Sequence, residues 1–355
     1  MSDRAATREP DVELRLALAM RGGVSLAVWI GGACCEIDAL RTATTTRNFW
    51  SDWLRRSGYE RVVVDVLAGA SAGGLNGVLY AASQVYGFPY EKIRDIWLRL
   101  GSTESLLRRE PPYPSLFRGD AYFQREMTAN LHRLIDDAVP PDRPPAVDLS
   151  LSVTYVEPLE RPVPSPNDQR LTERRFASGF VFRHPGADTG WKHTDFPDQD
   201  GDRRRFDEAI ARLGLAGRAT SSFPGAFEAA AMTARRVERF GDDRPPAVPD
   251  DAVLDMGGVL MDRAETPLPG RTDPPVFVTD DGGILDNIPI GRALDSGCGG
   301  GCRPAHRPAR RLPAARRQRL GAPLPGGDRR HDRHVARRSA QHHQRAARDG
   351  PLAPR

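Results

Sequence analysis

The chain has 355 residues, 39% of them hydrophobic, which is enough for one large domain or two small ones with a sizeable core. No apolar run of about 18 residues occurs, so no transmembrane helix is expected, and four cysteines, two of them adjacent (Cys34 and Cys35), make no disulfide framework and fit a reducing cytoplasm. The net charge of +4 sums unlike parts: residues 296–355 hold 15 Arg and 3 acidic residues, net +12, while the rest holds 36 Lys+Arg against 44 Asp+Glu, net −8.

The start, Met1-Ser2-Asp3-Arg4, has no basic region leading into an apolar stretch, and no cleaved signal peptide is expected. Residues 12–20, with Leu14, Leu16 and Leu18, read as a buried strand. Arg21-Gly22-Gly23 is a turn, and 25–41 has helical spacing through Leu26, Ile30, Ile37 and Leu40. Phe49, Trp50, Trp53 and Leu54 suggest a second helix. The run 62–67 is a strand, and a helix follows Ser71 to about Val85. Residues 90–100 and 121–139 look helical, separated by Pro111, Pro112 and Pro114. Strands are expected at 149–156, 176–182, 253–261 and 276–279, with helices at 206–213, ending near Gly214, and 288–295. The polar stretches 157–173, 184–205 and 240–251 read as insertions. Strands alternating with helices argue for an α/β fold with helices on both faces of the sheet.

From Ser296 onward Phe, Trp, Tyr, Ile, Met, Lys, Glu, Asn and Thr are absent. Such a composition cannot bury enough apolar area to offset chain entropy, so 296–355 is expected to be a disordered Arg/Pro/Gly/Ala-rich tail. Arginine runs release counterions from phosphates, which offers a nucleic-acid or anionic-lipid tether as one reading. A shifted reading frame fits better: arginine outnumbers lysine 49 to 2, a mark of a GC-rich gene, and the composition changes abruptly just where a helix has begun. Cys298, Cys302 and His306 are weak grounds for a metal cluster without a scaffold.

Gly69-Ala70-Ser71-Ala72-Gly73 sits between the strand at 62–67 and the next helix. A serine hydroxyl is a poor nucleophile until a base reaches it. A sharp strand-to-helix turn exposes the oxygen, small residues permit the turn, and the helix aims its first amides at developing negative charge. A glycine-rich turn that merely contains a serine is the alternative. A phosphate loop is excluded, because no Gly-Lys-Ser/Thr follows. The histidines outside the tail, His132, His184 and His193, all precede the second glycine-bearing segment, Asp281-Gly282-Gly283, so the usual Ser, Asp/Glu, His order is disfavoured. An aspartate in direct contact with the serine can serve instead; Asp281 is that candidate, with Asp280 as its rival.

These two segments together resemble the patatin-like phospholipases, which use a Ser–Asp dyad. Met20-Arg21-Gly22-Gly23-Val24-Ser25-Leu26 stands where that family has its glycine-rich oxyanion loop. The stretch Ala219-Thr220-Ser221-Ser222-Phe223-Pro224-Gly225-Ala226-Phe227 is similar to another family motif, and Asn287 and Pro289 follow Asp281-Gly282-Gly283 as they do in the family. In the loop Arg21, Ser25 and Leu26 depart from the usual Gly-Gly-Gly-x-Arg-Gly, while Gly22 and Gly23 remain.

The resemblance, spanning 12–295, implies a patatin-like three-layer α/β/α sandwich with a mostly parallel central sheet. It implies an acyl hydrolase acting on carboxylic ester bonds of lipids through an acyl-enzyme. Ser71 would be the nucleophile, Asp281 the general base and Gly22 and Gly23 the oxyanion hole, with Gly69, Gly73, Gly282 and Gly283 supporting them. No metal or other cofactor is called for. The expected partner is a lipid or phospholipid met at a membrane surface, with no specific nucleic acid, in a cytoplasmic or peripheral protein. The alternative is a patatin-fold module, catalytically weak or inactive, that binds lipid or a protein.

Overall fold

A computed structural model describes residues 12–44, 47–111, 114–163, 171–187, 193–233, 254–256, 258–261 and 276–298. The chain divides into two compact units, Met1–Pro304 and Ala305–Arg355, and every described residue belongs to the first. The arginine-rich tail beyond residue 298, with Cys302 and His306, lies outside the described residues.

The elements in order are β1 (Glu13–Met20), α1 (Leu26–Arg41), α2 (Phe49–Ser57), β2 (Arg61–Gly69), α3 (Ala72–Tyr86), a 3₁₀ turn (Tyr90–Lys92), α4 (Ile93–Leu100), α5 (Thr103–Leu106), a π turn (Gly119–Gln124) and α6 (Arg125–Asp136). Then come β3 (Val147–Val163), β4 (Leu171–His184), α7 (Arg203–Thr220), β5 (Ala230–Thr233), β6 (Val276–Asp281) and α8 (Ile290–Cys298). Six strands form one mixed sheet; β1, β2, β3 and β5 run one way, β4 and β6 the other.

The two faces of the sheet differ because the strands alternate. On β3, Leu149, Leu151 and Val153 enter the main core, while Ser150, Ser152 and Thr154 take the opposite pleat. On β2 the alternation breaks at Asp65, which the pairing register with β1 skips between Leu16↔Val64 and Ala17↔Val66. This bulge moves Leu67 onto the face of Val62 and Val64 and turns Val66 and Ala68 to the other, where they meet Ala293 of α8. Helices therefore cover both faces, α3 with its neighbours on one and α8 on the other.

Helix α3 is buried along its whole length, which fits its Ala/Gly/Leu/Val composition. Its buried Asn76 donates to the carbonyls of Ala27 (2.9 Å) and Ala72 (3.0 Å) and accepts from the Tyr90 hydroxyl (3.0 Å), tying α1 and the 3₁₀ turn to α3.

One feature of the sheet sets the positions of the candidate residues. Strand β4 occupies one edge of β3 from residue 147 to 154, so β2 and β6 share the other edge. Strand β2 runs up that edge to the pair Gly69–Leu151. Strand β6 runs down it to the pair Asp281–Val153. Their C-terminal ends face each other across Ser152.

Three expectations are corrected. The helix at 206–213 does not stop near Gly214 but runs through it to Thr220: a Cβ at 214 would overlap the Thr128 hydroxyl, and Gly217 lies against Leu75, so close packing against α6 and α3 uses the glycines. Part of the insertion at 157–173 is strand, with Leu159–Val163 paired to Arg175–Leu171 in a polar extension of the hairpin. Leu159 packs against the core, while Glu160, Val163 and residues 171–175 are exposed, so no alternation marks it. At 253–261 the described residues make only single bridges, Thr233 with Asp255 and Phe180 with Leu260. Strand β5, not anticipated, pairs with β6 instead.

Candidate active site

Ser71 has φ +52° and ψ −124°, and it is the one non-glycine residue at positive φ among the described residues. Such a conformation costs about 1–3 kcal/mol and persists only where the surroundings over-determine it. Here they do. A Cβ on Gly69 would come 2.6 Å from the Gly73 carbonyl oxygen, and one on Gly73 would overlap the Met20 carbonyl. The Ala70 amide donates to that Met20 oxygen at 3.2 Å, pinning the turn to β1. The Ser71 amide donates to Thr220 Oγ1 at 3.1 Å, and the Thr220 hydroxyl donates to the Ser152 carbonyl at 2.7 Å. Thr220 is fully buried.

Asp281 ends β6 and is almost completely buried. Its backbone is held at both ends: its amide donates to the Ser222 carbonyl (3.1 Å), and its carbonyl accepts from the Thr154 hydroxyl (3.0 Å). Gly282 packs so closely on β3 that a Cβ would overlap the Ser152 carbonyl. Oδ1 accepts from the Gly283 amide at 2.6 Å. Oδ2 is buried and makes no hydrogen bond of regular geometry. Burial pushes the carboxyl above the usual carboxylate range; the Ser71 hydroxyl and the Gly283 amide pull it part of the way back, and the charge of Asp280 adds to the rise. The Ser71 hydroxyl thus acts on the Asp281 carboxyl although Oδ2 has no hydrogen bond of regular geometry. Asp280 lies on the opposite pleat, paired with Thr154.

The glycine loop after β1 lies directly against this pair: a Cβ on Gly22 would be 2.9 Å from Ser71 Cβ. The two glycines do not have equal roles. The Gly22 amide donates to the Asn287 carbonyl at 3.1 Å, which joins the glycine loop to the segment after Asp281. It differs in this from the expectation of a free oxyanion donor. The amides of Gly23, at φ +140°, and of Ala72, which opens α3, have no partner among the described residues.

The three described histidines bond elsewhere. His132 faces Asp207 (3.8 Å), His184 Nδ1 meets the Pro145 carbonyl (2.9 Å), and His193 faces Asp195 (3.3 Å). Burial pushes the Cys34 thiol up to about 12, which keeps it protonated and un-nucleophilic.

Sequence reasoning missed the support behind the site. Arg218, fully buried, donates to Ser222 Oγ and to the Glu228 carbonyl (2.5 Å) and lies 5.3 Å over the Phe227 ring. Its charge is met by Asp120 (3.4 Å) and Glu228 (3.8 Å). Burial alone would raise the Glu228 carboxyl, but donors from Ser115, Asp120 and Gly119 hold it down at about 2. This cluster braces Ser222, whose carbonyl holds the Asp281 amide. The one sequence signal for this support is Arg218 and Thr220 in the otherwise small and apolar last turns of α7.

The family model for patatin-like phospholipases matches residues 18–294. The chain belongs to the patatin-like phospholipase family. It is also 32% identical over 332 residues to an uncharacterized membrane protein of Mycobacterium tuberculosis, Rv3479, in a match covering 84% of this chain. The chain spans 27% of the length of that relative. Among the described residues no helix is long and apolar enough to cross a membrane.

Proposed function

We propose that this lipid acyl hydrolase works through a Ser71–Asp281 dyad and an acyl-enzyme. Asp281 takes the Ser71 proton as Oγ bonds to the ester carbonyl carbon. The amides of Gly23 and Ala72 receive the oxyanion, and Gly22 acts as a strut through Asn287. As the carbonyl re-forms, the C–O bond to the leaving alcohol breaks and Asp281 returns the proton to that alcohol. Water then attacks the acyl-enzyme, gives its proton to Asp281 and releases the fatty acid, and Ser71 regains its hydrogen. Such preorganised amide donors are typically worth about 10²–10³ in rate each. The observation that carries this reading is the conformation of Ser71, at φ +52° beside a buried aspartate whose titration its hydroxyl alters.

A lipid ester substrate fits the family. Contact at a membrane surface, in a protein otherwise cytoplasmic, agrees with the relative's description as a membrane protein. The domain spans 12–295 and is followed by the arginine-rich stretch 296–355. The rival reading is a weakly active or inactive module binding lipid or protein, favoured by the engaged Gly22 amide and by Arg21 in place of a glycine. A fluorophosphonate probe separates the two. Labelling of the wild-type chain and none of Ser71→Ala supports the hydrolase; an unlabelled, folded wild type overturns it.

A further inference from the structure

Apolar side chains stand in solvent on both segments that flank the Ser71–Asp281 pair. On the side of the glycine loop these are Val24, at 86% exposure, then Val28 and Trp29, at 68% and 70%. On the side of the segment after Asp281 they are Ile284, Leu285 and Ile288, each about half exposed. The two segments are joined by the Gly22–Asn287 hydrogen bond, and Gly22 lies against Ser71, so both apolar segments flank the serine. Val28 and Trp29 lie in the first turn of α1, and Val24 lies just before it. Residues 24–35 contain no charge at all.

We propose that this rim docks on a phospholipid bilayer, with Trp29 and Val28 entering the interface and Arg21 meeting lipid phosphate. The inference rests on the lipid-ester reading above and specifies the surface through which substrate arrives. Soluble proteins seldom expose a contiguous apolar patch without a partner for it, and tryptophan with aliphatic neighbours is suited to the headgroup boundary. The charge pattern selects the occupant. Arg21 is exposed and makes no ion pair among the described residues. Asp286, beside Asn287, accepts from Arg292 (2.7 Å) and Ser152 (2.8 Å), and Glu36 of α1 accepts from the Trp50 indole (2.9 Å). A lipid phosphate supplies the counter-charge of Arg21, and acyl chains receive the apolar rim.

The test is sedimentation of the full chain with vesicles of phosphatidylcholine alone, because an anionic vesicle would also draw the arginine-rich tail. Val28→Ser/Trp29→Ser is compared with Val139→Ser, an equally exposed change near the far end of α3. The double variant is expected to bind vesicles about tenfold more weakly or worse, with Val139→Ser like wild type. Hydrolysis of water-soluble p-nitrophenyl butyrate should be the same in all three. Equal vesicle binding by the double variant overturns the proposal. So does a concentration-dependent dimer of the wild type that the double variant dissolves, since the rim would then be a self-contact. If no form cleaves the ester yet the double variant alone loses vesicle binding, the docking surface stands and the hydrolase reading falls.

Discussion

The Ser71 amide donates to the hydroxyl of Thr220, 149 positions further along the chain, and that hydroxyl in turn donates to the carbonyl of Ser152. One buried side chain thus fixes the serine turn to β3, the strand against which β6 places Asp281.

Thr220→Val keeps the shape and removes both bonds. Leaving a buried amide unpaired costs about 1–3 kcal/mol, and a displaced nucleophile lowers kcat by about 10- to 100-fold. Thr220→Ser restores the hydroxyl and is expected to recover most of the rate. Ester kinetics beside thermal melts check this; a Val variant as fast as wild type would show that the bond does not position Ser71.

Ser71→Ala and Asp281→Asn should each abolish ester hydrolysis, and they should differ in stability. Burial raises the Asp281 carboxyl, so the ionised form is disfavoured in the folded state and the group weakens the fold as pH rises past its unfolded value. Asp281→Asn is therefore expected to melt a few degrees higher than wild type at neutral pH. A lower melting temperature would contradict this.

The pH profile follows from the same shift. A general base works ionised, so activity is lost as pH falls through the Asp281 value, at a pH above the ordinary aspartate range. The charge of Asp280 contributes to the rise. Asp280→Asn should move the acidic limb of kcat/KM to lower pH, and a limb that stays in place or moves up would count against Asp281 as the base.

Two glycine substitutions should act in opposite directions. Gly73→Ala pushes a methyl into the Met20 carbonyl and should cost about 3 kcal/mol. Gly32, exposed within α1, has nothing within 4 Å of a Cβ. Gly32→Ala should stabilise by about 0.5–1 kcal/mol. Denaturant midpoints of the two variants decide it.

Much of this was legible in the sequence because local and tertiary demands agree there. The apolar run before Ser71, the helix after it and Asp281-Gly282-Gly283 each sit where their own composition puts them. What stayed hidden depends on distant partners. Gly214 reads as a helix end until Thr128 is seen against it. Leu159–Val163 pairs with 171–175, whose side chains are all exposed. Whether the Gly22 amide is open cannot be read without Asn287, 265 positions away. Arg218 is charged, and its charge gives no sign that it is the largest fully buried side chain among the described residues.

Since β2 and β6 end on the same edge of β3, the spacing of Ser71 and Asp281 is measured by a single residue step at Ser152 rather than by the 210 positions of chain between them. Lengthening the connections between those strands leaves the ruler untouched, so this architecture can gain or lose loops and whole surface excursions without retuning its chemistry. An inserted or deleted residue within 151–153 would break the alignment at once.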